Sequence, residues 1–483
     1  MIRSLCAALC VALAFPVAAK DAAPLMPEGY SLESIALPEG IRFEVGGLDI
    51  NAAGDVAVST RIGDVWILPA GQSDWRLFAE GLGEPLGVLW EADGSILVAH
   101  KPELTRLRDT DGDGKADLFE NVANGFSFNE NYHEFHFGPV RDQAGNLYGS
   151  LNLASGEVGT LYSWRGITKM TAGERYRGWA YEVTPEGEFI PFAAGFRTPA
   201  GISLSPKDEL FITDNQGDWV PTSSLFHVRK GRFYGHPGGL ISHPDYDPAK
   251  IDALEPEDFA AMMDPPAVFI PHEELANSPG NPVWDVTGGK FGPFEGQIFV
   301  PEYKKSLVFR VMLEEVGGEY QGAAIKFLAG LASGAIRADF DPSGRLWVGQ
   351  TSRGWPTAGP EPFAVQRIAW DGHTVPFELQ KITLTKKGFD LTFTQPLSEA
   401  SAADFEAQQW HYHHWATYGS PKVEQASVAI SKMRLSEDRR TVSLSMQLTP
   451  GNVVAIDFSK LRNAQGKAPG ATMVYYTLNK LRD

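Results

Sequence analysis

Cysteine is nearly absent: the 483-residue chain has 2, Cys6 and Cys10, both near its start. No disulfide, thiolate metal site or thiol nucleophile can be built beyond them, and no Cys-x-x-Cys-His haem attachment occurs. There is no P-loop, no convincing dinucleotide fingerprint and no Gly-x-Ser-x-Gly nucleophile elbow, which removes phosphoryl transfer and nicotinamide chemistry from the leading functions. Positive charge is also in short supply. Against 60 Asp and Glu stand 42 Lys and Arg, a net charge of −18. Such a chain lacks the basic stripe that displaces counterions from phosphates, so no nucleic-acid partner is expected. After residue 17 there is no long apolar run, and therefore no expected membrane span.

The apolar run that does exist is N-terminal. Met1, Ile2 and Arg3 precede an apolar stretch over residues 5–17, which ends in Val17, Ala18 and Ala19. A basic start, a short hydrophobic segment and a small-residue cleavage site in that order predict a cleavable export signal over residues 1–19, and a periplasmic or secreted mature protein.

Glycine, by contrast, is abundant, with 50 residues, as is proline with 33, and one phrase recurs: an apolar strand, a turn bearing Gly or Asp, then a second apolar strand. It occupies residues 48–60, 88–100, 137–151, 202–214, 291–303 and 338–350. Asp, Ser or Asn followed by Gly supplies the positive φ of a tight hairpin, and the alternating apolar residues on either side bury one sheet face. Six copies predict an all-β fold, a six-bladed β-propeller over residues 20–374. The uneven spacing places long insertions at 152–180 and 236–285, and such loops gather on a functional face. From about Val375 the strands alternate cleanly, which predicts a small Ig-like β-sandwich over residues 375–483.

Asp109, Asp111, Asp113, Asp117 and Glu120 stand at positions 1, 3, 5, 9 and 12 of a twelve-residue loop with Gly114 at position 6. This is the EF-hand spacing, with the Lys115 carbonyl as the main-chain ligand, and it predicts a structural Ca²⁺ site in a blade connection. A second cluster, Asn129, Glu130, Asn131, Tyr132, His133, Glu134, Phe135 and His136, runs into the third repeat. Histidine suits a general base because its pKa lies near working pH, and His133 is the one expected at the propeller mouth. His411 and His413, at i and i+2 in the second unit, share a strand face and read as part of an aromatic and histidine packing patch.

The segment Gly195, Phe196, Arg197, Thr198, Pro199, Ala200, Gly201 resembles the Gly-x-Arg-Asn-Pro-x-Gly signature of the soluble quinoprotein glucose and sorbosone dehydrogenases, with Thr198 in place of Asn. Residues 231–237, containing Tyr234, Gly235, His236 and Pro237, are similar to that family's Gly-x-Asn-Tyr-Gly-Trp-Pro. The resemblance implies a propeller that binds pyrroloquinoline quinone at its mouth and oxidises a sugar or polyol. His133 would then be the base, and Arg197 with Thr198 would hold the quinone. Asn215, Gln216 and Gly217 would form the loop whose carbonyls set calcium against it, with Lys304 or Lys305 and Arg337 as further cations. Propeller and sandwich together are similar to bacterial propellers labelled membrane-bound dehydrogenases, often fused to c-type haem domains. Without such a haem motif here, a separate electron acceptor is expected. Two other readings stand beside this one: a carbohydrate lyase or hydrolase using Glu130, Tyr132 or Glu134, and a calcium-dependent module binding a glycan or a protein.

Overall fold

The computed structural model describes residues 24–156 and 159–482. The expected export signal over 1–19, with Cys6 and Cys10, lies outside them. The six repeats form six antiparallel blades, spanning residues 45–79, 87–123, 136–194, 201–270, 283–329 and 335–370. The sixth is completed by the N-terminal strand Tyr30–Ser34, which pairs with Phe363–Trp370 from Tyr30↔Trp370 to Ser34↔Gln366. The first strand of each blade lines the centre, where neighbouring blades meet. Small residues allow that approach: an added Cβ at Gly47 would run into the backbone of Gly87.

One expectation is corrected in blade five. Its inner strand is the short pair Val283–Trp284, and residues 291–294 of the fifth repeat form a turn instead. Gly292 and Gly296 adopt positive φ there, while Phe291 and Phe294 bury their rings against Phe299 and Phe327. The glycines bend the chain, so apolar periodicity marks a core contact in this stretch rather than a strand.

The C-terminal unit is a two-sheet sandwich, and one of its sheets is continuous with the propeller. Blade five's outer strands, Leu307–Val316 and Glu319–Ala329, are 10 and 11 residues long, twice the length of most blade strands. The outermost pairs with Met473–Leu478, and the sheet runs on through Asn452–Asp457 and Glu406–His411 to Val423–Ser427, eight strands in all. A second sheet of four strands, with Leu379–Thr385 at one edge, packs on its far half. Trp410 is fully buried at this junction, in one cluster with blade-five residues Val311 and Ala324 and with Tyr475, and Lys422 Nζ lies 3.8 Å from its ring centroid. Among the described residues no helix is long and apolar enough to cross a membrane.

Emptying the junction leaves a cavity shared by both units. Trp410→Ala is expected to cost about 3–5 kcal/mol, read from urea unfolding, with propeller and sandwich still unfolding in one transition.

Candidate functional site

The second strand of every blade ends on the same face of the ring, and the residue after it stands at the mouth. Those residues are Arg61, Lys101, Asn152, Asn215, Tyr303 and Ser352. The loops joining one blade to the next reach the same face and bring His133, between blades two and three, and Arg197, between blades three and four.

A network of amides and buried charge fixes the His133 loop. Asn129 Oδ1 accepts the Asn131 N–H at 2.8 Å, and Asn131 Oδ1 accepts the His133 N–H at 2.9 Å and the Ser155 N–H at 3.2 Å. Lys101 Nζ donates to the Asn131 carbonyl at 3.1 Å. Behind the loop, fully buried Arg177 donates to the carbonyls of Asn152 at 2.7 Å and Phe135 at 2.6 Å. Glu134 is fully buried as well and accepts the Asn129 N–H, so its carboxylate supports the loop from within rather than facing the mouth.

His133 Nδ1 lies 3.4 Å from the Leu153 carbonyl. A carbonyl only accepts, so Nδ1 carries the proton and Nε2 keeps its lone pair. Burial, then the positive charges of Arg197, Arg61 and Arg177, hold the His133 pKa down to about 4. The imidazole is neutral at ordinary pH, in the form that takes a proton. His136 is a structural residue by comparison: buried, with Nδ1 donating to the His100 carbonyl and Nε2 accepting from the Tyr181 hydroxyl at 2.6 Å.

Arg197 is held by a built pocket. Its Nε donates to Asp218 at 2.8 Å and Nη1 to Thr198 Oγ1 at 3.1 Å, with both partners buried. Asp214 accepts the backbone N–H groups of Arg197 and Thr198, which locks the turn. Only glycine fits at 217, since a Cβ there would collide with the Arg197 guanidinium. The Gly217 carbonyl accepts the N–H of Gly419, Gln216 Nε2 donates to the Pro221 carbonyl, and buried Asn215 Oδ1 has no partner among the described residues.

Arg337 reaches across the tunnel, donating to the carbonyls of Leu86 in blade two and Ala200 at the start of blade four, 3.0 Å each, with its guanidinium 4.9 Å from the Phe137 ring centroid. Burial, then repulsion from Arg61, lowers its pKa to about 9. On the side away from the mouth lies a cavity of about 380 Å³ lined by Asp49, Trp284 and Asp339. Lys304 is tied to the rim, with Nζ donating to the Pro356 carbonyl.

Two arginines escaped the sequence reading. Arg61 caps the Phe135 ring at 5.0 Å, pairs with Glu84, and acts on both His133 and Arg337. Arg177 sits in the insertion after blade three's second strand. The signal for Arg61 was present: it follows the second strand of repeat one, as Asn215 follows that of repeat four.

The aspartate loop divides. Carboxylate oxygens of Asp109, Asp111 and Asp113 lie within 4.8 Å of one another, exposed or nearly so. Asp117 instead accepts from the Thr110 N–H and hydroxyl, and Glu120 pairs with Arg108 at 2.6 Å. In an EF-hand a helix carries position 12 back to the ion. Here residues Leu118–Ala123 are a strand, and extended backbone takes Glu120 away. Lys115 donates its N–H to Asp113.

A family model described as domain of unknown function (DUF7133) matches residues 71–348. No curated protein matches the chain. Among solved structures, an oxidoreductase described as a glucose dehydrogenase from Thermus thermophilus is 20% identical, covers 70% of this chain and 100% of its own, and has a TM-score of 0.50. That likeness shows the fold alone, a β-propeller. The quinone-bound aldose sugar dehydrogenase of Streptomyces coelicolor is 16% identical over 71% of this chain and 99% of its own, with a TM-score of 0.49. The quinone-binding domain of a pyranose dehydrogenase from Coprinopsis cinerea is 11% identical over 71% and 96%, with a TM-score of 0.48.

The neutral imidazole has a direct test. In NMR titration His133 is expected to protonate with a midpoint near pH 4, against about 6.5 for a free histidine, and Arg197→Met is expected to raise that midpoint. Because the folded pKa is depressed, the contribution to stability is complete above about pH 6.5 and is lost as pH falls toward 4. A midpoint at 6.5 in the folded protein would show that neither burial nor the neighbouring arginines act on His133.

Proposed function

This chain belongs to the family described as domain of unknown function (DUF7133), and from its mouth we propose that it is an exported oxidoreductase of sugar or polyol hydroxyls that uses pyrroloquinoline quinone. The observation that carries this reading is the neutral His133, whose Nε2 has no partner among the described residues and which the charges of Arg197, Arg61 and Arg177 hold unprotonated. A cluster of arginines at one opening in a protein of net charge −18 fits a ligand with several carboxylates. Arg61, Arg197 and Arg337 would hold such a quinone, with Thr198 and the unpartnered Asn215 Oδ1 beside them. When bound, the quinone supplies the hydride acceptor.

The protein's own share is then proton transfer and positioning. His133 Nε2 takes the hydroxyl proton of the substrate, while the Leu153 carbonyl and the Asn131 amide keep the ring oriented. The arginines that depress its pKa keep it unprotonated between turnovers. Electrons leave through a separate acceptor. The lyase or hydrolase reading loses one of its acids, because Glu134 is buried behind the loop.

We assign Ca²⁺ to the loop of Asp109, Asp111 and Asp113, where three carboxylates this close repel one another unless a cation neutralises them. Its role is to stiffen the turn between the blade-two strands Glu103–Arg108 and Leu118–Ala123. The signal over 1–19 would deliver the mature protein to the periplasm or beyond.

Purified protein given pyrroloquinoline quinone and calcium is expected to reduce a dye with some member of a sugar and polyol panel. His133→Ala should lower kcat by about 10²- to 10⁴-fold; no quinone binding by absorbance and no turnover would sink the proposal. Calcium is expected to raise Tm, reversibly with EDTA, in the wild type and not in an Asp109→Asn, Asp111→Asn variant.

A further inference from the structure

The sandwich touches the mouth as well as the junction at blade five. After strand Glu406–His411 the chain leaves the sheet, and residues 413–420 lie on the loop of blade four that holds Arg197. Trp219 N–H donates to the Trp415 carbonyl at 3.0 Å, Gly419 N–H to the Gly217 carbonyl at 2.9 Å, and Ser420 N–H to the Pro221 carbonyl at 2.8 Å. Trp415 Nε1 closes the loop on the Gly419 carbonyl at 2.7 Å. His414 is sunk into the interface, its ring 5.4 Å from that of Trp219. Trp219 itself is buried in a left-handed conformation, φ 62°, which aims its N–H at the visiting loop.

All of these anchors run through backbone groups or through Trp415 and His414. None uses the ring of Tyr418. Tyr418 as a residue is 52% exposed, and its ring centroid lies 5.3 Å from the Arg197 guanidinium carbon and 5.8 Å from Lys169 Nζ. An anchored backbone carrying a half-exposed aromatic near two cations at a polar mouth has the form of a platform. A pyranose offers a matching surface, an apolar C–H face for the ring and a rim of hydroxyls for the cations. Tyr132, 58% exposed, has its ring centroid 5.5 Å from that of His133.

We propose that the sandwich completes the substrate site, with Tyr418 as a saccharide platform beside Arg197, so that affinity for the sugar depends on a residue outside the propeller. This rests on the oxidoreductase reading for the identity of the mouth, but it concerns binding alone. The test titrates maltose into full-length protein without quinone, followed by saturation-transfer NMR, for wild type, Tyr418→Ala and Tyr418→Phe, with Tm recorded for each.

The expected result is about tenfold weaker maltose binding in Tyr418→Ala at unchanged Tm, with near wild-type binding in Tyr418→Phe, which keeps the ring face. Equal affinity in wild type and Tyr418→Ala, or no maltose binding by the wild type, overturns the proposal. Quinone absorbance titrations on the same samples report on the oxidoreductase reading separately. Quinone binding with maltose affinity indifferent to Tyr418 leaves that reading standing and this one fallen, and maltose binding lost in Tyr418→Ala without quinone binding does the reverse.

Discussion

A ring of six sheets holds together only if its last sheet is finished by the other end of the chain. Here the pairing of Tyr30–Ser34 with Phe363–Trp370 does this. Without that strand blade six would present a raw edge, and Arg337, on its inner strand, would lose the frame that lets it span to blades two and four. The Tyr30 hydroxyl adds a second tie, donating to the Phe291 carbonyl of blade five at 2.5 Å.

Closure places charge as well as backbone. Arg61 after a second strand, Arg197 on a loop between blades and Arg177 in the blade-three insertion reach the same region, so a modest number of arginines acts on His133 although the chain as a whole is acidic. His133 feels three of them. The cost of crowding guanidiniums is offset by pairing at the rim, Arg61 with Glu84, Arg353 with Glu44 and Arg197 with Asp218, while Arg337 relies on carbonyls. Paired cations stay charged and ordered, which is what a preorganised anion site needs.

Much of this could be read from the sequence. The hairpin phrase marked all six blades because a turn bearing Gly or Asp between apolar strands has a strong local signature. It faltered at 291–294, where Phe291 and Phe294 carry the same apolar signal but serve a turn. His133 and Arg197 were legible from order and motif. Arg61 was not singled out although its place after the second strand of repeat one marked it for the mouth; its packing on Phe135 is a long-range contact that the repeat does not encode. Glu120 had the right spacing and the wrong backbone, for spacing predicts ligation only if the helix that normally follows is present. Tyr418 was invisible, because nothing near it in sequence says that the loop lands on Gly217.

The eight-stranded sheet bears on how such a chain could have come about. A domain joined by a linker can be gained or lost in one recombination event, because the break falls where few contacts cross. Here the outermost strand of blade five is also an inner strand of the sandwich sheet, and Met312, Val316, Ala323 and Ile325 belong to the sandwich core. A propeller ancestor could acquire this partner only together with a lengthened blade-five hairpin. Heredity would therefore treat the two halves as one unit, although an outline of the fold would draw them as two.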